Sequence, residues 1–174
     1  MTSPPFSLQI CGAHELSELA TRGVTHLISI WHPGADKARY TAGVNALFPD
    51  TEVKFIVFDD LEVRFLEEDL PPSEGHVNEV LEFAKQFDTE SVVGIHCMAG
   101  ISRSSAAAIA ALTQATGPGS EQKAAERVRK IRPQSRPNRL IIQHADTLLG
   151  REGKLIDAVD EVFGKSAPEA NKGW

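Results

Sequence analysis

"SVVGIHCMAGISRSS", residues 91–105, changes its period halfway along. The first seven residues are mostly apolar and β-branched, as in a strand buried on both faces. The arginine at 103 opens an alanine-rich run that stops at Gly117-Pro118 and reads as a helix over 102–116. MAGIS, between them, has room only for a tight loop. Cys97 is therefore read as the last strand residue and Arg103 as part of the first helical turn.

Working outward, three more short apolar runs bounded by Gly, Pro or Asp read as strands: SLQIC (7–11), HLISIW (26–31) and VKFIVF (53–58). Helical patterns cover 13–22, 120–131, 137–149 and 153–163. The clearest helix starts after Ser73, a candidate N-cap, and carries Val77, Val80, Leu81, Ala84 and Phe87 on one face. Strands separated by helices imply an α/β fold: a single domain with a central, mostly parallel sheet of about four or five strands, flanked by helices. The site is expected at the carboxyl ends of the strands. The domain is expected to span 1–164, with 165–174 as a flexible tail. HPGADKARYTAGVNALFP (32–49) is given no strand or helix, and Tyr40 within it, the only tyrosine, reads as an incidental loop residue or a contributor to a pocket rim.

With 174 residues, 41% of them hydrophobic, the chain suits one domain with a sizeable core. No apolar run of membrane-spanning length and no secretory leader is visible, so the expected location is cytoplasmic. Two cysteines exclude a disulfide framework, and neither stands at structural-zinc spacing. A net charge of −6 argues against nucleic acid as a partner. The charge is segregated, however. Residues 59–69 hold six acids and one arginine, and 129–139 hold five bases and no acid. Each reads first as a solvated face, and the basic stretch as a potential guide for an anionic substrate.

The loop after Cys97 has chemical consequences. N–H groups preceding a helix have no intrahelical partner, and with the helix dipole they form an anion site, here from Met98, Ala99, Gly100, Ile101, Ser102 and Arg103. Gly100 permits the turn. Among such donors a cysteine loses its proton readily, which makes Cys97 a nucleophile. Arg103 can hold two oxygens of a phosphoryl group with its planar fork. Ser104 can donate to the sulfur, and Ser102 or Ser105 can cap the helix.

The string His96-Cys97-x-x-Gly100-x-Ser102-Arg103-Ser104 at a strand-to-helix junction resembles the HCxxGxxR[ST] loop of the cysteine-based protein tyrosine phosphatases. The serine before arginine looks like the compact dual-specificity, bacterial-type branch. The resemblance implies that His96 orients the loop by hydrogen bonding and carries no proton in the reaction. It also implies a carboxylic acid past another strand end, and Asp59 and Asp60 both lie there. The branch's I-P-V-x-D strand aligns Asp60 with the acid and leaves Asp59 to hold the loop. Glu67, Glu68 and Asp69 read as surface residues. RPQSRPNRL resembles the branch's R-P-x-x-x-P-N stretch, which gives Asn138 a supporting role beside the loop, or that of a simple helix cap. Arg132 and Arg136 read as exposed.

The function that the resemblance implies is hydrolysis of phosphate monoesters through a phosphocysteine, with no cofactor and no metal. The expected substrate is a phosphorylated protein or other phosphomonoester, and phosphate or sulfate should fit the loop. MAGIS contains no lysine, which favours phosphotyrosine, with or without phosphoserine and phosphothreonine, over phosphoinositides. A catalytically weak phospho-ligand binding module and a phosphoinositide phosphatase remain as alternatives. Arsenate reduction is disfavoured because the loop lies past the middle of the chain. Cys11 reads mainly as a buried apolar residue, with a redox partnership to Cys97 as the rival.

Overall fold

Each of the four apolar runs forms a strand in the computed structural model, which describes residues 5–165; the tail expected from 165 onward thus lies almost wholly outside the described residues. The strands are β1 (Ser7–Gly12), β2 (His26–Trp31), β3 (Glu52–Val57) and β4 (Val92–Cys97). They form one sheet in the order β1-β4-β2-β3, with every pairing parallel. β4, between two neighbours, has Gly12 of β1 opposite Cys97 and Ser29 of β2 opposite His96. Parallel strands need crossovers, and these supply the helices: α1 (Leu16–Leu19, between single 3₁₀ turns), α2 (Lys37–Leu47), α3 (Glu74–Ala84), α4 (Arg103–Thr116), α5 (Glu121–Ile131), α6 (Arg139–Leu148) and α7 (Lys154–Phe163).

Alternation along the strands sorts the core into two layers. Val93, Ile95 and Cys97 of β4 join Ile28, Ile30 and residues of α3 to α7 on one face. Leu27 and Cys11 pack with α1 and α2 on the other. α4 is buried nearly all round, and its six alanines let β4, α3, α5 and α6 approach closely. Full burial of Ile109 and Leu112 contributes about 1.5–3 kcal/mol each.

α2 is the element the sequence did not reveal. Asp36 caps it by accepting the Arg39 N–H at 3.0 Å. Only Tyr40 and Val44 among its eleven residues are buried, so it carries no apolar stripe, and Thr41 and Gly43 are poor helix formers. Tyr40 is mostly buried, stacks on Trp31 with ring centroids 4.6 Å apart, and lines a cavity with Leu16 and Val44 that does not include Cys97 or Arg103. Among the described residues no helix is long and apolar enough to cross a membrane.

Candidate active site

The loop between β4 and α4 is pressed against the end of β1. Gly100 has φ +69°, and a Cβ there would lie 2.4 Å from the Cys11 carbonyl carbon and 2.5 Å from the Gly12 nitrogen. Met98 accepts the Ala13 N–H at 3.0 Å. From behind, Arg132 donates through Nε to the Gly100 carbonyl at 3.1 Å, while its two terminal nitrogens grip both oxygens of Glu15 at 2.9 and 2.7 Å. Glu15 in turn accepts the Gly12 N–H. The Arg132 hydrogen bond, against a smaller burial penalty, holds the Glu15 carboxyl down at about 2. Arg132 is therefore a loop anchor rather than the exposed residue expected. Arg136 is exposed, though its backbone N–H donates to the Ile101 carbonyl.

Cys97 is 2% exposed, with Sγ 3.2 Å from Ser104 Oγ. Burial pushes its thiol up, but this is outweighed by the Ser104 hydroxyl, the Ser104 N–H, the Arg103 charge and the Ile101 N–H, so the net shift is downward. Neither expected capping serine caps α4. Ser105 donates back to the Ile101 and Ser102 carbonyls, and Ser102 donates to Asp60 Oδ1 at 2.7 Å. Among the described residues no backbone carbonyl accepts the N–H of Ala99, Gly100, Ile101 or Ser102. Apart from the Ile101 N–H, which faces the Cys97 sulfur, those donors and the dipole of a fourteen-residue helix are left for an anion.

Arg103 is 4% exposed. One terminal nitrogen donates to the Phe58 carbonyl at 2.8 Å, fixing the fork, and the buried Nε has no acceptor among the described residues. A buried guanidinium N–H without an acceptor is costly unless a ligand satisfies it. Phe58 immediately precedes the two candidate acids, so this bond ties the guanidinium to the acid segment.

The two aspartates differ in their engagements. Asp59 closes the base of the 59–70 loop: its N–H donates to the Leu70 carbonyl at 2.7 Å, its Oδ2 accepts the Leu70 N–H at 2.8 Å, and its Oδ1 meets His32 Nε2 at 2.9 Å. Asp60 stands over the phosphate loop, its Oδ1 also taking Asn138 Nδ2 at 3.0 Å. Asn138 is a helix cap and also touches the Asp60 segment. Its Oδ1 caps α6 at the Ile141 N–H, and its Nδ2 holds Asp60 and the Leu61 carbonyl. Glu67 and Glu68 are exposed, and Asp69 is half-buried with its Oδ2 accepting the Phe65 and Leu66 N–H groups.

His96 is fully buried on the opposite face of the sheet from Cys97. Trp31 Nε1 donates to Ser29 Oγ at 2.7 Å, Ser29 Oγ lies 2.6 Å from His96 Nε2, and His96 Nδ1 is 3.4 Å from the Cys97 carbonyl. A neutral ring with its proton on Nδ1 satisfies the whole chain. Burial, opposed by the Cys97 carbonyl and aided by Arg103, lowers its pKa from 6.5 to about 4. Since the folded value lies below the unfolded one, its stabilising contribution is complete above about pH 6.5 and is lost as pH falls toward 4. Between pH 7 and 5 the loss should be about 2 kcal/mol. Denaturant melts at the two pH values should show it, and His96→Gln should lose most of the difference.

Cys11 lies on the sheet face opposite Cys97, and burial first, then Glu15, pushes its thiol up to about 12. It fits the buried apolar reading. Glu15, Ser29, Trp31 and His32 escaped the sequence reading. Arg132 alone had a signal, in the R-P stretch that carried Asn138. Among the described residues no group of three or more His, Cys, Asp and Glu side chains is placed to hold a metal ion.

No protein-family model matches the chain, and no curated protein sequence matches it. Solved structures do. DUSP15 superposes with a TM-score of 0.58 at 24% identity, over 95% of this chain and 98% of its own. The Yvh1 phosphatase domain from Chaetomium thermophilum gives 0.56 at 21% identity, over 85% and 93%. PTPMT1 in complex with PI(5)P gives 0.54 at 15%, over 84% and 94%. The four-stranded parallel sheet, its helices and the loop from β4 to α4 thus form the fold of the dual-specificity and related cysteine-based phosphatases.

Proposed function

We propose that the chain hydrolyses phosphate monoesters, with phosphotyrosine in proteins foremost, through a phosphocysteine on Cys97. One observation carries the reading. A thiol shifted toward thiolate lies 3.2 Å from Ser104 Oγ, beside a buried Arg103 whose Nε has no acceptor among the described residues. In the first step the Cys97 thiolate attacks phosphorus. The ester P–O bond breaks as an S–P bond forms, and Asp60 gives its proton to the leaving oxygen. In the second step water attacks the phosphocysteine and yields a proton to Asp60. The S–P bond breaks, phosphate departs, and the Ser104 hydroxyl bonds to the returning thiolate. The N–H groups of Met98 to Ser102 and the fork of Arg103 offset the equatorial charge in both steps.

Asp60 is assigned as the acid because Asp59 is engaged on both oxygens at the loop base. The test is turnover of a small aryl phosphate in excess chelator over the range pH 5 to 7. Asp60→Asn should lower kcat by about 10²–10³-fold and remove the alkaline limb of the profile, since the acid must be protonated to act. Asp59→Asn should keep that limb and lose activity only through a loosened loop. The opposite assignment of limbs would exchange the two roles, and activity that vanishes with chelator would end the metal-free scheme.

A further inference from the structure

The segment carrying Asp60 presents apolar side chains to solvent beside the site. Val63, Phe65 and Leu66 are 47%, 64% and 57% exposed, and Met98 of the phosphate loop is 48% exposed. Val63, Phe65 and Leu66 lie within four consecutive residues, and apolar side chains exposed together on one short segment mark a candidate interaction surface. The lip is a built turn. Arg64 donates to the Glu67 and Asp69 carbonyls, and Asp69 Oδ2 accepts the Phe65 and Leu66 N–H groups. These bonds spend the segment's only base on backbone oxygens, while Glu67 and Glu68 remain exposed without an ion pair among the described residues. The lip is thus apolar at its tip and strongly negative around it.

We infer that this lip docks the polypeptide on either side of the phosphorylated residue and selects phosphoproteins with arginine or lysine next to an apolar residue there. The inference rests on the phosphatase reading above. Asp60 is bonded to Ser102 of the phosphate loop, and Phe65 follows it by five residues, a reach of at most about 17 Å. A phosphoryl group seated at Cys97 therefore brings its flanking residues against the lip. Basic flanks gain from Glu67 and Glu68, and an apolar flank covers Phe65 and Leu66. Acidic flanks, or an anionic lipid surface, meet like charge.

The experiment uses the full chain and two tyrosine-phosphorylated peptides that differ only in flanking Arg-Arg or Glu-Glu, with the ratio of their kcat/KM values as the readout. The ratio should favour the basic peptide roughly tenfold at low ionic strength. It should shrink in about 0.5 M salt, where the Debye length falls to roughly 4 Å and charges not in direct contact are screened. Glu67→Lys with Glu68→Lys should bring it to one or invert it, and Phe65→Ala with Leu66→Ala should raise KM for both peptides. A parental ratio near one, a ratio unmoved by the charge reversal, or faster release from phosphatidylinositol phosphate vesicles than from either peptide overturns the inference. Turnover of aryl phosphate with an indifferent ratio removes this inference alone, whereas no turnover of any substrate removes the phosphatase reading with it.

Discussion

Cys97→Ser is expected to lower kcat by at least about 10⁴-fold while phosphate affinity stays within about threefold of the parent. The physical reason lies in what the loop can and cannot ionise. Its N–H groups, the Ser104 hydroxyl and the Arg103 charge shift a thiol toward thiolate despite deep burial. A hydroxyl starts far less acidic, and the same donors leave it protonated. No general base is in place to help, since the neutral His96 ring lies across the sheet and spends its protonated nitrogen on the Cys97 carbonyl. The anion cradle itself loses nothing. Its backbone donors and the Arg103 fork do not depend on sulfur, and removing a thiolate relieves repulsion with the bound dianion. Burst kinetics with an aryl phosphate and calorimetry with inorganic phosphate check both halves. Residual turnover above about one per cent would mean that the reaction does not pass through Cys97.

Gly100→Ala should damage stability and activity together. At φ +69° an alanine meets the left-handed penalty, about 1–2 kcal/mol, and its Cβ overlaps backbone atoms of Cys11 and Gly12 at 2.4 and 2.5 Å. Backbone at the end of a paired strand does not swing aside as a side-chain tip does. Adding about 1–3 kcal/mol for overpacking gives a loss of about 2–5 kcal/mol, or roughly 10 °C in Tm for a domain of this size. If the loop shifts instead, the Arg132 bond to the Gly100 carbonyl goes with it, and a displacement of about 1 Å at the nucleophile costs on the order of 10² in kcat. Gly43→Ala is the control. It lies in α2 with nothing within 4 Å of the added Cβ, and should stabilise by up to about 1 kcal/mol. Thermal melts of the two variants should move in opposite directions.

The elements legible in the sequence rested on local signals. Each strand was a short apolar run between breakers, and the string from His96 to Ser104 stood where a strand pattern gives way to a helical one. α2 was invisible because a helix that buries two residues of eleven leaves no periodic trace. The anchors were invisible for another reason. Glu15 meets Arg132 across 117 residues, and Ser29 meets His96 across 67, so no window along the chain contains both partners. Asp59 and Asp60, adjacent in sequence, were told apart there by the strand resemblance alone, and the structure gives them different partners: His32 and Leu70 for Asp59, Ser102 and Asn138 for Asp60.

Those long reaches also fix when the site comes into being. The Gly100 carbonyl is held by a guanidinium 32 residues downstream, and Asp60 by an amide 78 residues downstream. A chain emerging from the ribosome has made Cys97 well before it has made Arg132 and Asn138. Until those residues arrive and dock, the nascent polypeptide carries a cysteine whose loop and acid segment still lack these ties. The arrangement proposed to be active is therefore complete only once α5 and the turn before α6 have been made and docked against the loop.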